Sequence, residues 1–148
     1  MADKIEITID DKRLKQYFNQ LEQKGKQPHE LLKRLGAIIE DAVDENFDEE
    51  GRPQHWKLLD EKTKRQRAKL GYSGQILQRT GKLKRSITRK VAERYVLVGT
   101  NLEYAAIHNF GGPTGRNHSV DMPERPFMTI TDQDMDDLVK TTVRYLDI

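Results

Sequence analysis

The sequence predicts an α+β fold: a small antiparallel β-sheet packed against a long amphipathic helix, with a closing C-terminal helix. Three observations predict it. Leu31, Leu32, Leu35, Ile38, Ile39, Ala42, Val43 and Phe47 recur at three- and four-residue spacing, which puts them on one helical face. Ile5, Ile7 and Ile9 alternate with Glu6 and Thr8, and residues 95–99 form an apolar run; both patterns are those of strands. Met135, Leu138, Val139, Thr142, Val143 and Leu146 give a second helical stripe near the end of the chain.

Taken in order, residues 4–9 read as a half-buried strand. Asp10 caps a helix that begins near Asp11, carries Leu14, Tyr17, Phe18 and Leu21 on one side, and stops at Gly25. Pro28 suits the first turn of the long helix. That helix ends in Asp44, Glu45, Asp48, Glu49 and Glu50, acids that oppose the macrodipole, so its last turns are either frayed in solvent or offset by a partner. Gly51-Arg52-Pro53 breaks it, and Trp56, the sole tryptophan, follows. Asp60 caps a short, very basic helix over 61–70, and 71–74 is a flexible turn. Residues 84–92, with Ile87 and Val91 apolar, pair as a strand with 95–99 around Glu93-Arg94, a hairpin turn without the favoured Asn-Gly. Asn101 caps a short aromatic helix, 104–110. Residues 111–121 are expected to be a mobile loop, with Ser119-Val120-Asp121 as a brief edge strand. Pro123 and Pro126 fix an extended corner, and Thr129 or Thr131 caps the last helix.

At 148 residues the chain is expected to form one domain, 1–148. With no cysteine, disulfides, thiol catalysis and Cys-based zinc sites are excluded. The start, Met-Ala-Asp-Lys-Ile-Glu, has no apolar run, and no window approaches a membrane span, so a soluble cytoplasmic chain without a signal peptide is expected.

Charge is unevenly spread. Residues 1–50 hold 8 Lys/Arg and 13 Asp/Glu, residues 51–100 hold 14 and 3, and residues 101–148 hold 4 and 8. A basic middle of +11 between flanks of −5 and −4 fits a polyanion partner or self-complementary assembly. Lys62, Lys64, Arg65, Arg67, Lys69, Lys84 and Arg85 are candidate basic contacts; Asp44, Glu45, Asp48 and Glu49 are candidate acidic ones, as is the cluster Asp132 to Asp137. Such head-to-tail pairing closes into rings when the rotation allows. The same cations in 62–90 also fit phosphates, but Tyr72 is the single aromatic among them and no base-reading module is apparent, so DNA binding there is expected to be non-specific.

Catalytic patterns find no foothold. His29, His55, His108 and His118 lack the helical i, i+4 spacing of a zinc motif. His108-Asn109 with His118 is a faint match to a His-Asn-His nuclease, yet His108 falls in a helix rather than the hairpin that motif requires. Walker A, GxGxxG and GxSxG are missing. Asp132, Asp134, Asp136 and Asp137 lack the EF-hand glycine and glutamate and read as N-terminal acids of a helix. No catalytic residue, cofactor or metal is expected.

Five landmarks in sequence order carry a resemblance. They are Trp56 with Leu58 and Thr63; Ile76-Leu77-x-x-Thr80-Gly81-x-Leu83-x-x-Ser86-Ile87; Val98-Gly99-Thr100; Tyr104-Ala105-x-Ile107-His108-x-Phe110-Gly111-Gly112; and Pro123-x-Arg125-Pro126-Phe127. Together they resemble the phage virion morphogenesis family, the tail completion proteins of Mu- and P2-like phages, over about residues 28–145. The family's small residue after the first proline is Glu124 here. The resemblance implies a structural protein of the tail end or neck that completes the tail and joins it to the head. It also implies similarity to tail-terminator and head–tail joining proteins, which form rings, often of six subunits. The implied partners are further copies and other phage tail or neck proteins, without a membrane. The implied location is the host bacterial cytoplasm and then the virion. Within the motifs, Gly111 and Gly112 allow backbone angles closed to other residues. Tyr104, Ile107 and Phe110 share a helical face expected to pack on the sheet. His108 and the Arg125 guanidinium are expected to hydrogen-bond the Pro-Arg-Pro-Phe corner, and 112–121 to order on assembly.

Overall fold

A computed structural model describes residues 5–6 and 8–146. Its architecture is α+β, with a three-stranded antiparallel sheet on one side of the long helix and the closing helix on the other. Strand β1 (Ile5–Glu6) is short; Lys4 and Ile7 of the expected strand lie outside the described residues, and Thr8 and Ile9 are not in it. Helix α1 (Lys12–Gln23) starts one residue later than expected. Asp11 is the cap, its carboxylate accepting from the Arg13 and Leu14 N–H groups.

Helix α2 (His29–Asp48) buries Leu31, Leu32, Leu35, Ile39, Ala42, Val43 and Phe47. Gly36 lies on the same face because the sheet passes close by: a Cβ there would stand 2.7 Å from Val96 Cγ2 and 3.3 Å from Arg89 Cδ. The sheet runs β1-β3-β2, with β2 (Thr88–Val91) and β3 (Val96–Thr100) in the register Arg89↔Val98. The expected strand over 84–92 is a correction in part. Residues Lys82–Arg85 form a helical turn, α4, because Gly81 enters it in the left-handed region and Leu83 turns into the core. The strand proper begins at Thr88.

Helix α3 (Glu61–Leu70) is capped by Asp60, which accepts from the Thr63 N–H, and ended by left-handed Gly71. Helix α5 (Ala105–Phe110) has no side-chain cap, so Asn101 does not play the expected role; the Thr100 hydroxyl takes the nearby Leu102 N–H instead. Residues 111–121 are not irregular loop throughout. They fold as a hairpin of β4 (Gly112–Thr114) and β5 (Val120–Met122) around the 3-10 turn Arg116–His118, and the strand sits one residue later than Ser119.

Helix α6 (Asp132–Leu146) is capped by Thr131. Its hydroxyl accepts from Asp134 N–H while the Asp134 carboxylate accepts from Thr131 N–H, a reciprocal capping box. α6 runs antiparallel to α2: Thr129 bonds Asn46 near one end, and Tyr145 reaches the Gln27 carbonyl at the other. At the centre, Phe47 meets Trp56 edge-on at 5.9 Å and Phe127 at 5.2 Å.

Candidate functional site

The sequence landmarks converge on one place, the corner 123–128. Short helix α5 supplies two anchors. The Asn109 side-chain oxygen accepts from the N–H groups of Phe127 and Met128, both at 3.0 Å. The His108 carbonyl accepts from the Arg125 N–H at 3.0 Å. From the other side, the Trp56 indole donates to the Pro126 carbonyl at 3.0 Å, and the Asn46 amide donates to the carbonyls of Phe127 and Thr129. Phe127 is thereby driven into the core. A proline-fixed corner exposes few N–H groups of its own, so these side chains satisfy what remains.

Two expectations for this corner are corrected. The His108 ring does not hold it; the backbone carbonyl does, and His108 Nδ1 is buried without a hydrogen-bond partner. The ring stands edge-on to Tyr104 at 5.9 Å. Burial holds its pKa below the ordinary histidine range, and the nearby Arg125 and Arg67 charges push the same way. The Arg125 guanidinium reaches past the corner to the Trp56 segment, donating to the carbonyls of Lys57 (2.9 Å) and Leu58 (3.4 Å). The face of α5 is corrected as well. Ala105 and Asn109 are buried, while Tyr104 and Phe110 are exposed, Phe110 at 65%. Gly111 is required by close approach: a Cβ would lie 2.7 Å from Glu124 N and 2.8 Å from Met122 O.

The central landmark closes the other side. The Ser86 hydroxyl donates to the Leu83 carbonyl at 2.6 Å and lies 2.7 Å from the Thr100 hydroxyl, tying 80–87 to the end of β3. Thr80 Oγ1 accepts from the Lys82 N–H, and its carbonyl accepts from Arg85 Nη1.

Two groups stand out in the basic middle, apart from the exposed Lys82, Arg85 and Lys90. Lys84 lies against Asp48 and, at 3.7 Å, Asp44, and Arg89 is 3.6 Å from Glu40. These cations offset the acidic end of α2 within the chain. The other group stands on α3, where Lys62, Lys64, Arg65 and Lys69 are exposed and Arg67 folds back to the carbonyls of Ser73 and Gln75. Tyr72 is stacked by Arg79 at 4.5 Å. Glu45 pairs with Arg52 at 2.9 Å, and Glu49 is exposed.

Sequence reasoning missed the hub on the corner's far side. Arg52, largely buried, donates to Asn46 Oδ1 (2.8 Å), the Ala42 carbonyl (2.7 Å), Glu45 (2.9 Å) and Asp134 (2.9 Å). The available signal was Asn46, a polar residue at a core position of the α2 stripe. Among the described residues, no three potential metal ligands converge, and no helix is long and apolar enough to cross a membrane.

The fold and its landmarks thus define a protein whose most specific residues brace a proline corner and leave aromatic and basic side chains facing out. The comparisons give the family: a model of the phage virion morphogenesis family matches residues 9–147, and the chain belongs to that family. It is 36% identical over 118 residues to Mu-like prophage FluMu G protein 2 of Haemophilus influenzae, covering 80% of this chain and 78% of that protein. It is 30% identical over 128 residues to Mu-like prophage FluMu G protein 1 of the same organism, covering 84% and 82%. Putative capsid assembly protein G of Escherichia phage Mu is 43% identical over 56 residues, 37% of this chain and 36% of that one. No solved structure matches. Family membership gives the chain a role in phage virion assembly.

Proposed function

We propose that the chain is a non-catalytic, ring-forming subunit of the phage tail end or neck, needed for tail completion and head–tail joining. It works in the host bacterial cytoplasm and remains in the virion. Its partners are further copies of itself and neighbouring tail or neck proteins. The observation that carries this reading is the exposure of Leu58 (68%) and Phe110 (65%) on segments joined through Arg125. Large apolar side chains held outward by a rigid frame suit a protein contact. A nucleic-acid module on 62–90 is the alternative, and the pairing of Lys84 and Arg89 with acids of α2 interrupts one continuous phosphate track.

The test is deletion of the gene from an inducible prophage and electron microscopy of the lysate. Full heads beside unjoined tails, restored to virions by the wild-type gene, is the expected result. Because one relative is named for capsid assembly, heads are scored separately; defective heads with normal tails would move the role to the head side. Normal virions would sink the proposal.

A further inference from the structure

Helix α3 is unusual in burying no residue. Eight of its ten residues are exposed, and only Thr63 and Arg67, one turn apart, are half-buried. Helices shorter than about 12–15 residues are marginal in water, so α3 persists through its end caps and the Arg67 bonds to 73 and 75. On the side away from Thr63 and Arg67, the three-four spacing lines up Lys62, Arg65 and Lys69. The fold therefore holds out a short rod with a cationic edge.

Its complement exists in the same chain but on another side. Lys84 and Arg89 offset Glu40, Asp44 and Asp48 along the sheet side of α2. The seam between α2 and α6 is different. There Glu45 and Asp134 share the single guanidinium of Arg52. Asp41 lies one turn back on α2, and Asp137 three residues on along antiparallel α6. Glu45 and Asp134 thus share one cation, and Asp41 and Asp137 are in no ion pair among the described residues.

We infer that α3 is a docking arm whose Lys62, Arg65 and Lys69 seat on the acidic α2–α6 seam of a second copy of this chain. This rests on the ring-forming reading above. The contact is heterologous, arm to seam, so it propagates around a ring and leaves no copy self-satisfied. Nucleic acid is the weaker occupant because the nearby aromatic, Tyr72, is already covered by Arg79.

The test is charge exchange between copies, read by light scattering over a concentration series. One variant carries Lys62→Glu, Arg65→Glu and Lys69→Glu; the other carries Asp41→Lys and Asp137→Lys, which spares the Arg52 partners. Each alone is expected to associate about tenfold or more weakly than wild type. Mixed in equal amounts, opposite charges face each other at both contacts and assembly returns, a rescue that misfolded variants do not give. If the wild type assembles and neither variant changes its mass, the arm is overturned while the ring-forming reading stands. A wild type that stays monomeric at every concentration and salt overturns both. If the arm variant loses only its retention of a labelled DNA duplex, α3 belongs to nucleic acid and the inference fails.

Discussion

Asn109 sits on a six-residue helix, yet one oxygen of its side chain takes both N–H groups that follow Pro126. Replacing it with alanine strands two buried donors. Asn109→Ala is expected to cost about 2–6 kcal/mol at roughly 1–3 per lost buried partner, read as a fall in the urea midpoint; a loss within error would show that water replaces the amide. His108 tests the neighbouring electrostatics. Its folded pKa is lowered, first by burial and then by Arg125 and Arg67. Between that value and the ordinary one, the unfolded chain binds a proton that the folded chain does not. Stability therefore falls as pH drops through the ordinary histidine range, and the added cost levels off below the folded pKa. Between about pH 7.5 and 5.5, wild type should lose more stability than His108→Gln. Equal losses would remove His108 as the source.

Among the elements, α3 behaves unlike the rest because its formation and the core's are nearly separate. Asp60→Ala removes its cap, worth about 1 kcal/mol. Amide exchange across 61–70 is expected to quicken while the global unfolding midpoint hardly moves. A matching drop in both would mean α3 is integral to the core. The helices α1, α2, α3 and α6 were legible in the sequence because each has either a long apolar period or clear end signals. The turn at 82–85 was not, and of the hairpin at 112–122 only its second strand was, one residue out of place. Both depend on left-handed backbone at Gly81, Asn117 and His118 and on contacts that local pattern does not carry.

For the molecule as a whole, α1, α2, α6 and the sheet share one core. Trp56 lies in it, against Phe47. Tryptophan fluorescence and far-ultraviolet dichroism should therefore report a single coincident transition in urea; separated transitions would divide the chain into more than the one domain expected. The landmark residues of the corner were visible in the sequence through their resemblance to a family, but their supports were not. Asn46 reads as an interruption of an apolar stripe, and Arg52 and Asp134 are 82 residues apart, a pairing with no local signature. Likewise the even smear of positive charge from 62 to 90 gave no hint that Lys84 and Arg89 answer acids at home while, among the described residues, Lys62, Arg65 and Lys69 of α3 do not.

Arg52 has one more consequence. It is settled early in the chain but keeps a place for a carboxylate that is made almost last, at Asp134. Asp134→Ala, with α6 still in place, would leave the largely buried guanidinium short of a carboxylate, a defect of about 3–5 kcal/mol for a broken buried pair. The closing helix is thereby keyed to the end of α2 by charge as well as by apolar packing.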